Sequence, residues 1–227
     1  KSNRGFGKKE LIKDIKLDIQ EGTLVAIIGD TGAGKSTVMN CLNGSDTGGM
    51  EGSIEYKGID LIKKFSQLKW IIGSVPQKNI FNEEMTVEEQ LMMEASRMLP
   101  RDTSKTEIKD IVNKTLKQLG IENVRNNQIA KCSGGEQRRV SIGMQLVADK
   151  QFICMDEPEA GLDPRNKRNL FETLRNLAHS EGKTILTIIQ DVSDIELFDK
   201  LIIMNKVDNV GRLAFSGTPN EAREHFG

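Results

Sequence analysis

Residues 29–36 read GDTGAGKS and fit the pattern G-x-x-x-x-G-K-S. The stretch follows a short continuous apolar run at residues 23–28, which predicts a strand buried on both faces, and it precedes a helix predicted from about Lys35 to Leu42. Glycines let such a loop fold tightly, so that its N–H groups point at phosphate oxygens beside the positive end of the helix dipole. Lys35 is then placed to reach the β- and γ-phosphates, and Ser36 offers a hydroxyl to a magnesium ion. The stretch therefore predicts a nucleotide-binding P-loop.

A second stretch, residues 152–158 (FICMDEP), ends a predicted buried strand in two acids. At a strand end in a P-loop protein, such an acid can hold the magnesium ion, and Asp156 is the candidate. Glu157 is the candidate base, or the group that orients water, for attack on the γ-phosphate. Pro158 forces the chain to turn after them. The two acids therefore predict a hydrolytic site beside the glycine loop.

A further glycine cluster lies at residues 132–136 (CSGGE), before a predicted helix over residues 134–147. Ser133 is predicted to be the N-cap of that helix, and Glu136 three residues later completes a capping box. Gly134 and Gly135 would cost stability inside a first helical turn. They make sense if a phosphate approaches the backbone closely, so the cluster predicts a second anion site.

The chain as a whole alternates predicted strands and helices, which indicates one α/β domain over residues 1–227 with a mainly parallel sheet. Residues 11–19 (LIKDIKLDI) alternate apolar and polar side chains, and this predicts a half-buried strand. The pattern is helical between residues 79 and 148, so this part is predicted to be an inserted α-helical subdomain. Further strands are predicted at residues 53–57, 71–75, 184–189, 201–205 and 213–216, and a further helix at residues 165–178.

The composition excludes several classes of protein. The 227 residues hold 32 Lys and Arg against 33 Asp and Glu, and the net charge of -1 argues against a dedicated nucleic-acid binder. The three cysteines have no metal-ligand spacing and the two histidines lie far apart, which argues against a multi-histidine zinc site and a histidine-dependent catalytic triad. No apolar run approaches the ~20 residues that span a bilayer.

The order and joint presence of these motifs resemble the nucleotide-binding domain of ATP-binding cassette (ABC) transporters over nearly the whole chain. GDTGAGKS is similar to that family's Walker A loop, CSGGE to its signature motif, and FICMDEP to its Walker B strand with the catalytic glutamate. Residues 160–163 (AGLD) are similar to the D-loop, and Gln77 falls where the Q-loop glutamine lies. The stretches RRVSIGMQL and LFDKLII are similar to the G subfamily and its bacterial relatives.

The resemblance implies a P-loop NTPase fold, in which antiparallel N-terminal β-strands accompany the mainly parallel sheet, and an ATPase that uses ATP and Mg²⁺ to power transport. Two such domains, copies or paralogues, would pack head to tail. A transmembrane domain, fused or separate, would contact the region near Gln77 and the helical subdomain at the cytoplasmic face of the cell membrane, and no nucleic-acid partner is expected.

The resemblance also assigns site residues by their positions in the motifs. The expected catalytic residues are Glu157, Lys35 and Gln190, and the expected magnesium ligands are Ser36, Gln77 and Asp156. The expected nucleotide contacts are Phe6, Gly29, Asp30, Thr31, Gly32, Ala33, Gly34, Lys35, Ser36, Thr37 and Gln77, with Ser133, Gly134, Gly135 and Glu136 acting on the partner's nucleotide.

One position departs from the family pattern. The family usually places a histidine against the γ-phosphate near the end of the strand predicted at residues 184–189, and this chain reads TIIQD at residues 187–191. Either Gln190 or Ile189 fills the position, and Gln190 is favoured because an acid, Asp191, follows it. Glutamine can donate a hydrogen bond to phosphate, but it lacks the charge of a protonated imidazole. Slow hydrolysis with intact ATP binding is therefore expected.

Three other functions would also use a P-loop. A regulatory cassette that binds ATP and dimerises without useful hydrolysis would explain the missing histidine, although the intact Glu157 argues against it. A non-transport ABC ATPase of the DNA-repair type is disfavoured because residues 77–133 leave room for a short helical subdomain and not for long coiled-coil arms. A GTPase is suggested only by the N-K-x-D pattern at residues 205–208, and no D-x-x-G lies at a suitable distance from the P-loop.

Overall fold

A computed structural model describes residues 10–46 and 50–226 as an α/β structure. The strands are β1 (Leu24–Gly29), β2 (Glu55–Tyr56), β3 (Ile59–Asp60), β4 (Ile72–Val75), β5 (Phe152–Asp156), β6 (Thr184–Ile188), β7 (Lys200–Val207) and β8 (Val210–Gly217). The α-helices are α1 (Lys35–Leu42), α2 (Phe65–Leu68), α3 (Val87–Met98), α4 (Lys105–Leu119), α5 (Gly134–Val147), α6 (Pro164–Glu181) and α7 (Pro219–Phe226).

Six strands form the main sheet in the order β4-β5-β6-β1-β7-β8. All neighbours from β4 to β7 are parallel, and β8 pairs antiparallel with β7. The carboxyl ends of β4, β5, β6 and β1 therefore meet at one edge of the sheet. In parallel sheets this edge is where ligands bind.

Both faces of the sheet are covered, as the continuous apolar runs of its strands predict. In β1, Leu24 and Ala26 belong to one buried cluster, while Val25 and Ile27 belong to another. Val38 of α1 packs in the cluster of Val25 and Ile27. Because successive side chains of a strand point to opposite faces, β1 is held from both sides and fixes the start of the loop that follows it.

Three helices, α3, α4 and α5, lie between β4 and β5 in the part of the chain predicted to be an inserted subdomain. Capping boxes begin all three, with Thr86 and Glu89 at α3 and Ser104 and Glu107 at α4. Most of their apolar side chains are buried and join the same cluster as one face of the sheet. The helices are thereby packed against the edge of the sheet that carries β4.

The predicted strand at residues 11–19 is wrong. Only Ile12 pairs there, through an isolated parallel bridge to Gly211. The alternation has a different cause, since Ile12, Ile15, Leu17 and Ile19 are half-buried against the cluster that holds Val25. Packing of alternate side chains does not require a ladder of backbone hydrogen bonds. The antiparallel pairs among the described residues are β2 with β3 and β7 with β8.

The end of the chain forms a longer hairpin than the sequence predicts. Strands β7 and β8 extend past the apolar residues, and Asp208 and Asn209 form the turn with φ angles of 50° and 64°. Asn and Asp tolerate this left-handed conformation and favour two-residue hairpin turns. The N-K-x-D pattern therefore belongs to a strand end and its turn. Helix α7 follows and was not predicted.

The α/β class and the mainly parallel sheet are confirmed. Among the helices of residues 10–46 and 50–226, none combines the length and the apolar character that crossing a membrane requires.

Candidate functional site

The loop between β1 and α1 needs its glycines for steric reasons. Gly29 and Gly34 have φ angles of 148° and 89°. A Cβ atom on Gly29 would collide with the carbonyl oxygen of Met204, and one on Gly34 would lie 2.5 Å from Cγ2 of Ile12. Gly32 has a φ of 80°, again a conformation that side chains disfavour. The loop is therefore folded tightly on backbone geometry alone, as the sequence predicts.

Lys35 closes this loop through its side chain. Its Nζ donates hydrogen bonds to the carbonyl oxygens of Gly29 at 2.6 Å and Asp30 at 3.0 Å. Ser36 follows in the first turn of α1 and is exposed. The ammonium group therefore lies on the loop itself.

A second lysine lies at the loop and was missed in the sequence. A Cβ built on Gly32 would lie 3.9 Å from Nζ of Lys206, which comes from the end of β7. The parallel pairing of β7 with β1 brings it there. The sequence does not indicate that Lys206 lies at the loop, because a lysine near a hairpin turn is ordinarily a solvated side chain.

Glu157 is held by two amides. Its Oε2 accepts a hydrogen bond from Nε2 of Gln77 at 2.8 Å, and its Oε1 accepts one from Nε2 of Gln190 at 2.5 Å. The backbone of Glu157 has a φ of 46°, a strained conformation for glutamate, and its N–H donates to the carbonyl of Ile188. Ile189 is only 1% exposed and belongs to the core. The structure thus brings Gln77, Glu157 and Gln190 together and leaves Ile189 outside the site.

Asp156, at the end of β5, has an unfavourable environment for its charge. Burial raises the pKa of this carboxyl and the neighbouring Glu157 raises it further, while Arg138 and Lys35 lower it. A cation would stabilise the charged form. Such an environment is typical of a carboxylate that completes its surroundings with a ligand.

The donors near the loop fit magnesium. Across the part of the chain that the structure describes, no three His, Cys, Asp or Glu side chains form a metal cluster. Magnesium in nucleotide sites commonly takes one or two protein oxygens and completes its shell with phosphate and water. The hydroxyl of Ser36 and the carboxylate of Asp156 are donors of that kind.

The CSGGE cluster begins α5 as predicted. Ser133 Oγ donates to Oε2 of Glu136 at 2.8 Å and accepts from its N–H at 3.3 Å, and the N–H of Ser133 donates to the same carboxylate at 2.8 Å. The predicted capping box is confirmed. A Cβ on Gly134 would meet nothing within 4 Å, whereas one on Gly135 would lie 3.1 Å from Leu162. The start of α5 is therefore open at Gly134.

Arg138 is a further residue at the site that the sequence does not reveal. It is 5% exposed, and its guanidinium donates from Nη1 to the carbonyl of Pro76 at 2.5 Å and from Nη2 to that of Asp156 at 2.6 Å. Pro76 precedes Gln77, and Asp156 precedes Glu157. One side chain of α5 therefore fixes the backbone beside two site residues. In the sequence, RR within a helix resembles an ordinary solvated pair.

The remaining predicted residues are placed as follows. Thr31 is exposed on the loop, Ala33 is buried under it, and Thr37 lies in α1. Asp163 of the AGLD stretch is the N-cap of α6 and accepts from the N–H groups of Arg165 and Asn166. Phe6 lies outside the described residues.

Sequence comparison finds relatives along nearly the whole chain. The family model described as ABC transporter matches residues 12–160. ABC transporter G family member 19 of Arabidopsis thaliana is 34% identical over 224 residues, which cover 96% of this chain and 30% of that protein. The chain spans about a third or less of the length of the curated relatives that it matches.

Solved structures of similar fold are known. The structure of cbiO1 from Clostridium perfringens, described as part of the ABC transporter complex cbiONQ, has a TM-score of 0.81 and 27% identity, covering 95% of this chain and 85% of that one. The dimeric structure of MJ0796, described as a bacterial ABC transporter cassette, has a TM-score of 0.77 and covers 92% of this chain and 90% of that one. At 24% identity, the second likeness concerns the fold.

Proposed function

This chain belongs to the ABC transporter family, and on that premise we propose that it binds ATP with Mg²⁺ and hydrolyses it as one half of a head-to-tail pair. The single observation that carries the proposal is the arrangement at Glu157. A carboxylate at a strand end, held by the amides of Gln77 and Gln190, lies at the same sheet edge as the glycine loop. Two fixed amide donors leave the carboxylate few orientations, which suits a base that must receive a proton at a defined place.

Hydrolysis would then proceed with Glu157 as the base. A water oxygen attacks the γ-phosphorus, one of its protons passes to the Glu157 carboxylate, and the bond to the β-phosphate oxygen breaks to give ADP and phosphate. Lys35 leaves the carbonyls of Gly29 and Asp30 and neutralises the phosphate oxygens. Magnesium, when held by Ser36 and Asp156, supplies further neutralisation of the charge that develops on the leaving group.

The proposed partner for the nucleotide site is a second copy of this chain or a paralogue. Ser133 and Gly134 are exposed, and the space beside Gly134 is empty of the chain's own atoms. The first turn of a helix with free N–H groups binds phosphate. The MJ0796 cassette, which has a similar fold, is described as dimeric.

The proposed membrane partner is a transmembrane domain, fused or separate, that contacts the chain from the cytoplasmic face. A groove between the end of β4 and helices α3 and α5 is lined in part by Pro76, Ile80 and Met144. Ile80 is 74% exposed in this groove. The residue before it, Asn79, accepts a hydrogen bond from Arg138. We assign residues 1–227 to one nucleotide-binding domain with residues 79–148 as its helical subdomain, and we expect no nucleic-acid partner.

A regulatory cassette is the second candidate, and one observation favours it. The side chain that contacts Glu157 from the loop after β6 is the neutral Gln190, which brings no positive charge to the phosphate. In that case ATP would bind and join two chains, and turnover would be slow.

The deciding experiment measures Mg-ATP hydrolysis at several protein concentrations, with Glu157→Gln as the matched control. The variant keeps the size and polarity of the side chain but cannot accept the proton as a carboxylate does. Activity that rises more steeply than protein concentration and disappears in Glu157→Gln supports an ATPase that works as a pair. ATP binding without activity above the control contradicts hydrolysis by this chain and favours the regulatory cassette.

A further inference from the structure

The loop that carries Gln190 begins where the backbone hydrogen bonds to the sheet end. The last backbone bond of this segment to the sheet is from Ile189 N–H to the carbonyl of Ile27. The next N–H, that of Gln190, donates instead to a side chain, Oε1 of Glu159, at 3.0 Å. The carboxylate of Glu159 therefore takes over the alignment of the loop at the residue that matters for the site.

Glu159 is an unusual residue for its location. Its side chain is buried, with 7% of the residue exposed. Burial raises the pKa of this carboxyl and the charge of Glu157 raises it further, while the N–H groups of Gln190 and Glu159 and the charge of Lys167 lower it. Its second oxygen, Oε2, is buried and has no hydrogen-bond partner among the described residues. A buried carboxyl with an unpaired oxygen costs stability, so packing alone does not account for it.

A second anchor holds the same loop from α6. Nζ of Lys167, which is almost fully buried, contacts Oδ2 of Asp191 and Oγ of Ser193 at 2.5 Å and Oδ2 of Asp194 at 3.1 Å. The hydrogen bond from Lys167 lowers the pKa of Asp191 to about 2. Lys167 thus fixes the part of the loop after Gln190, and Glu159 fixes Gln190 itself.

Gln190 consequently contacts two acids of one turn. Its backbone N–H donates a hydrogen bond to Glu159, and its side-chain amide donates one to Glu157, which lies two residues before Glu159 in the chain. We propose that Glu159 is a positioning residue for hydrolysis, which holds the backbone of Gln190 so that its amide orients the Glu157 carboxylate. The inference rests on the proposed ATPase function, and it names the residue that holds Gln190 in place.

The test separates positioning from mere stability by using two substitutions of Glu159. Glu159→Gln keeps an acceptor oxygen for the Gln190 N–H, whereas Glu159→Ala removes it. We expect Glu159→Gln to hydrolyse ATP within a few-fold of the wild-type rate, and Glu159→Ala to lose on the order of tenfold to a hundredfold in kcat at unchanged ATP affinity, because misplaced groups slow the chemical step.

A double substitution shows whether Glu159 acts through Gln190. In a Gln190→Ala chain the orienting amide is already absent, so adding Glu159→Ala should lower kcat little further. Asp199→Ala is the matched control, since Oδ2 of Asp199 also accepts from a distant backbone N–H, that of Leu24 at 2.8 Å, at the opposite end of β1. It should lower the free energy of unfolding and leave kcat of the folded chain unchanged.

Two results overturn the proposal. One is a Glu159→Ala chain with wild-type kcat, and the other is an equal loss of kcat from Glu159→Ala with and without Gln190. Failure of the ATPase function is seen separately, as wild-type hydrolysis no faster than that of Glu157→Gln. In that event, hydrogen exchange of the Gln190 backbone N–H still tests whether Glu159 holds this N–H. The proposal requires that the N–H is protected in the wild type and in Glu159→Gln and exchanges faster in Glu159→Ala.

Discussion

At the scale of single residues, the neutral amide of Gln190 distinguishes this site. It reaches Oε1 of Glu157 and so can orient the carboxylate that we propose as the base. It cannot share a positive charge with a phosphate whose negative charge grows as the leaving group departs. Because Gln190 can orient Glu157 but brings no positive charge, we expect intact ATP binding with slow turnover.

Gln190→His is therefore expected to raise turnover at saturating Mg-ATP, on the order of tenfold, because imidazole can carry a proton near neutral pH. ATP affinity should change little. Gln190→Asn is the matched control, since its shorter side chain retains the amide without reaching Glu157 and should give no gain. Equal turnover by the wild type and the histidine variant would contradict the expectation of a slow site.

The pH dependence of stability gives a second prediction at this scale. Burial raises the pKa of Glu159, so the folded state resists its ionisation. Its contribution to stability is present below the ordinary pKa of about 4.5 and is lost as pH rises through the raised value. The stability of Glu159→Gln relative to the wild type, measured as the difference between their free energies of unfolding in urea titrations, should therefore be higher at pH 7.5 than at pH 4.5.

Glu221 supplies the opposite control. Hydrogen bonds with Thr218 lower its pKa, so its contribution is present above the ordinary pKa and is lost as pH falls. Glu221→Gln should consequently lose stability at pH 7.5 relative to pH 4.5. A Glu159→Gln chain that follows the same direction as Glu221→Gln would show that Glu159 is stabilised as a charged group.

At the scale of elements, Arg138 ties α5 to the edge of the sheet that carries the candidate site. Arg138→Met keeps much of the apolar stem but leaves the carbonyls of Pro76 and Asp156 without their donor, at a cost of about 2–4 kcal/mol in the free energy of unfolding. Because these carbonyls adjoin Gln77 and Glu157, turnover per folded chain should also fall, by about tenfold or more.

Arg139, on the same helix, is the matched control. Its Nη1 donates to the carbonyl of Leu119 at 2.6 Å, within the helical part of the chain. Arg139→Met should lower stability in urea titrations and leave turnover of the folded fraction unchanged. Equal effects of the two substitutions on turnover would show that Arg138 supports the fold only.

Elements differ in how well the sequence predicts them. Strands β1, β5 and β6 were predicted because continuous apolar runs are required where both sheet faces are covered. The alternation at residues 11–19 was misleading, since the same pattern arises when a non-strand segment packs alternate side chains on a core. The hairpin of β7 and β8 was predicted too short because its polar end is stabilised by ladder bonds, which do not depend on side-chain character.

The site was predictable where its residues adjoin in sequence. The glycine loop, the acid pair and the capping box of Ser133 each carry their chemistry within a few residues. Arg138 and Lys206 could not be found in this way, because Arg138 reaches Pro76 across 62 residues and Lys206 reaches the loop only through the parallel pairing of β7 with β1. Such contacts exist only once the sheet order is fixed.

At the scale of the whole molecule, the proposed head-to-tail pair predicts complementation between two inactive chains. Lys35→Ala removes the cation of a chain's own loop, and Gly134→Asp places a negative charge where the partner's phosphate would lie. Gly134 has open space, and an acid in a first helical turn is favourable, so this variant should fold. Each variant alone should be inactive.

In an equal mixture, half of the pairs are mixed, and each mixed pair holds one intact site of two. Activity of the mixture should therefore recover to about a quarter of the wild-type value. The measurement is Mg-ATP turnover of the separate and mixed chains at one total concentration. A mixture as inactive as its components would contradict a site shared between two chains.

The capping box of α5 has a consequence for how such a pair comes apart. In the single chain, the carboxylate of Glu136 occupies the hydroxyl and the N–H of Ser133. In the proposed pair, a phosphate of the nucleotide bound by the other chain competes for the same donors. Glu136 is thus a built-in substitute anion, and when the phosphate leaves, the helix recovers its own cap at once. The two chains can separate without either one being left with an unfinished helix end.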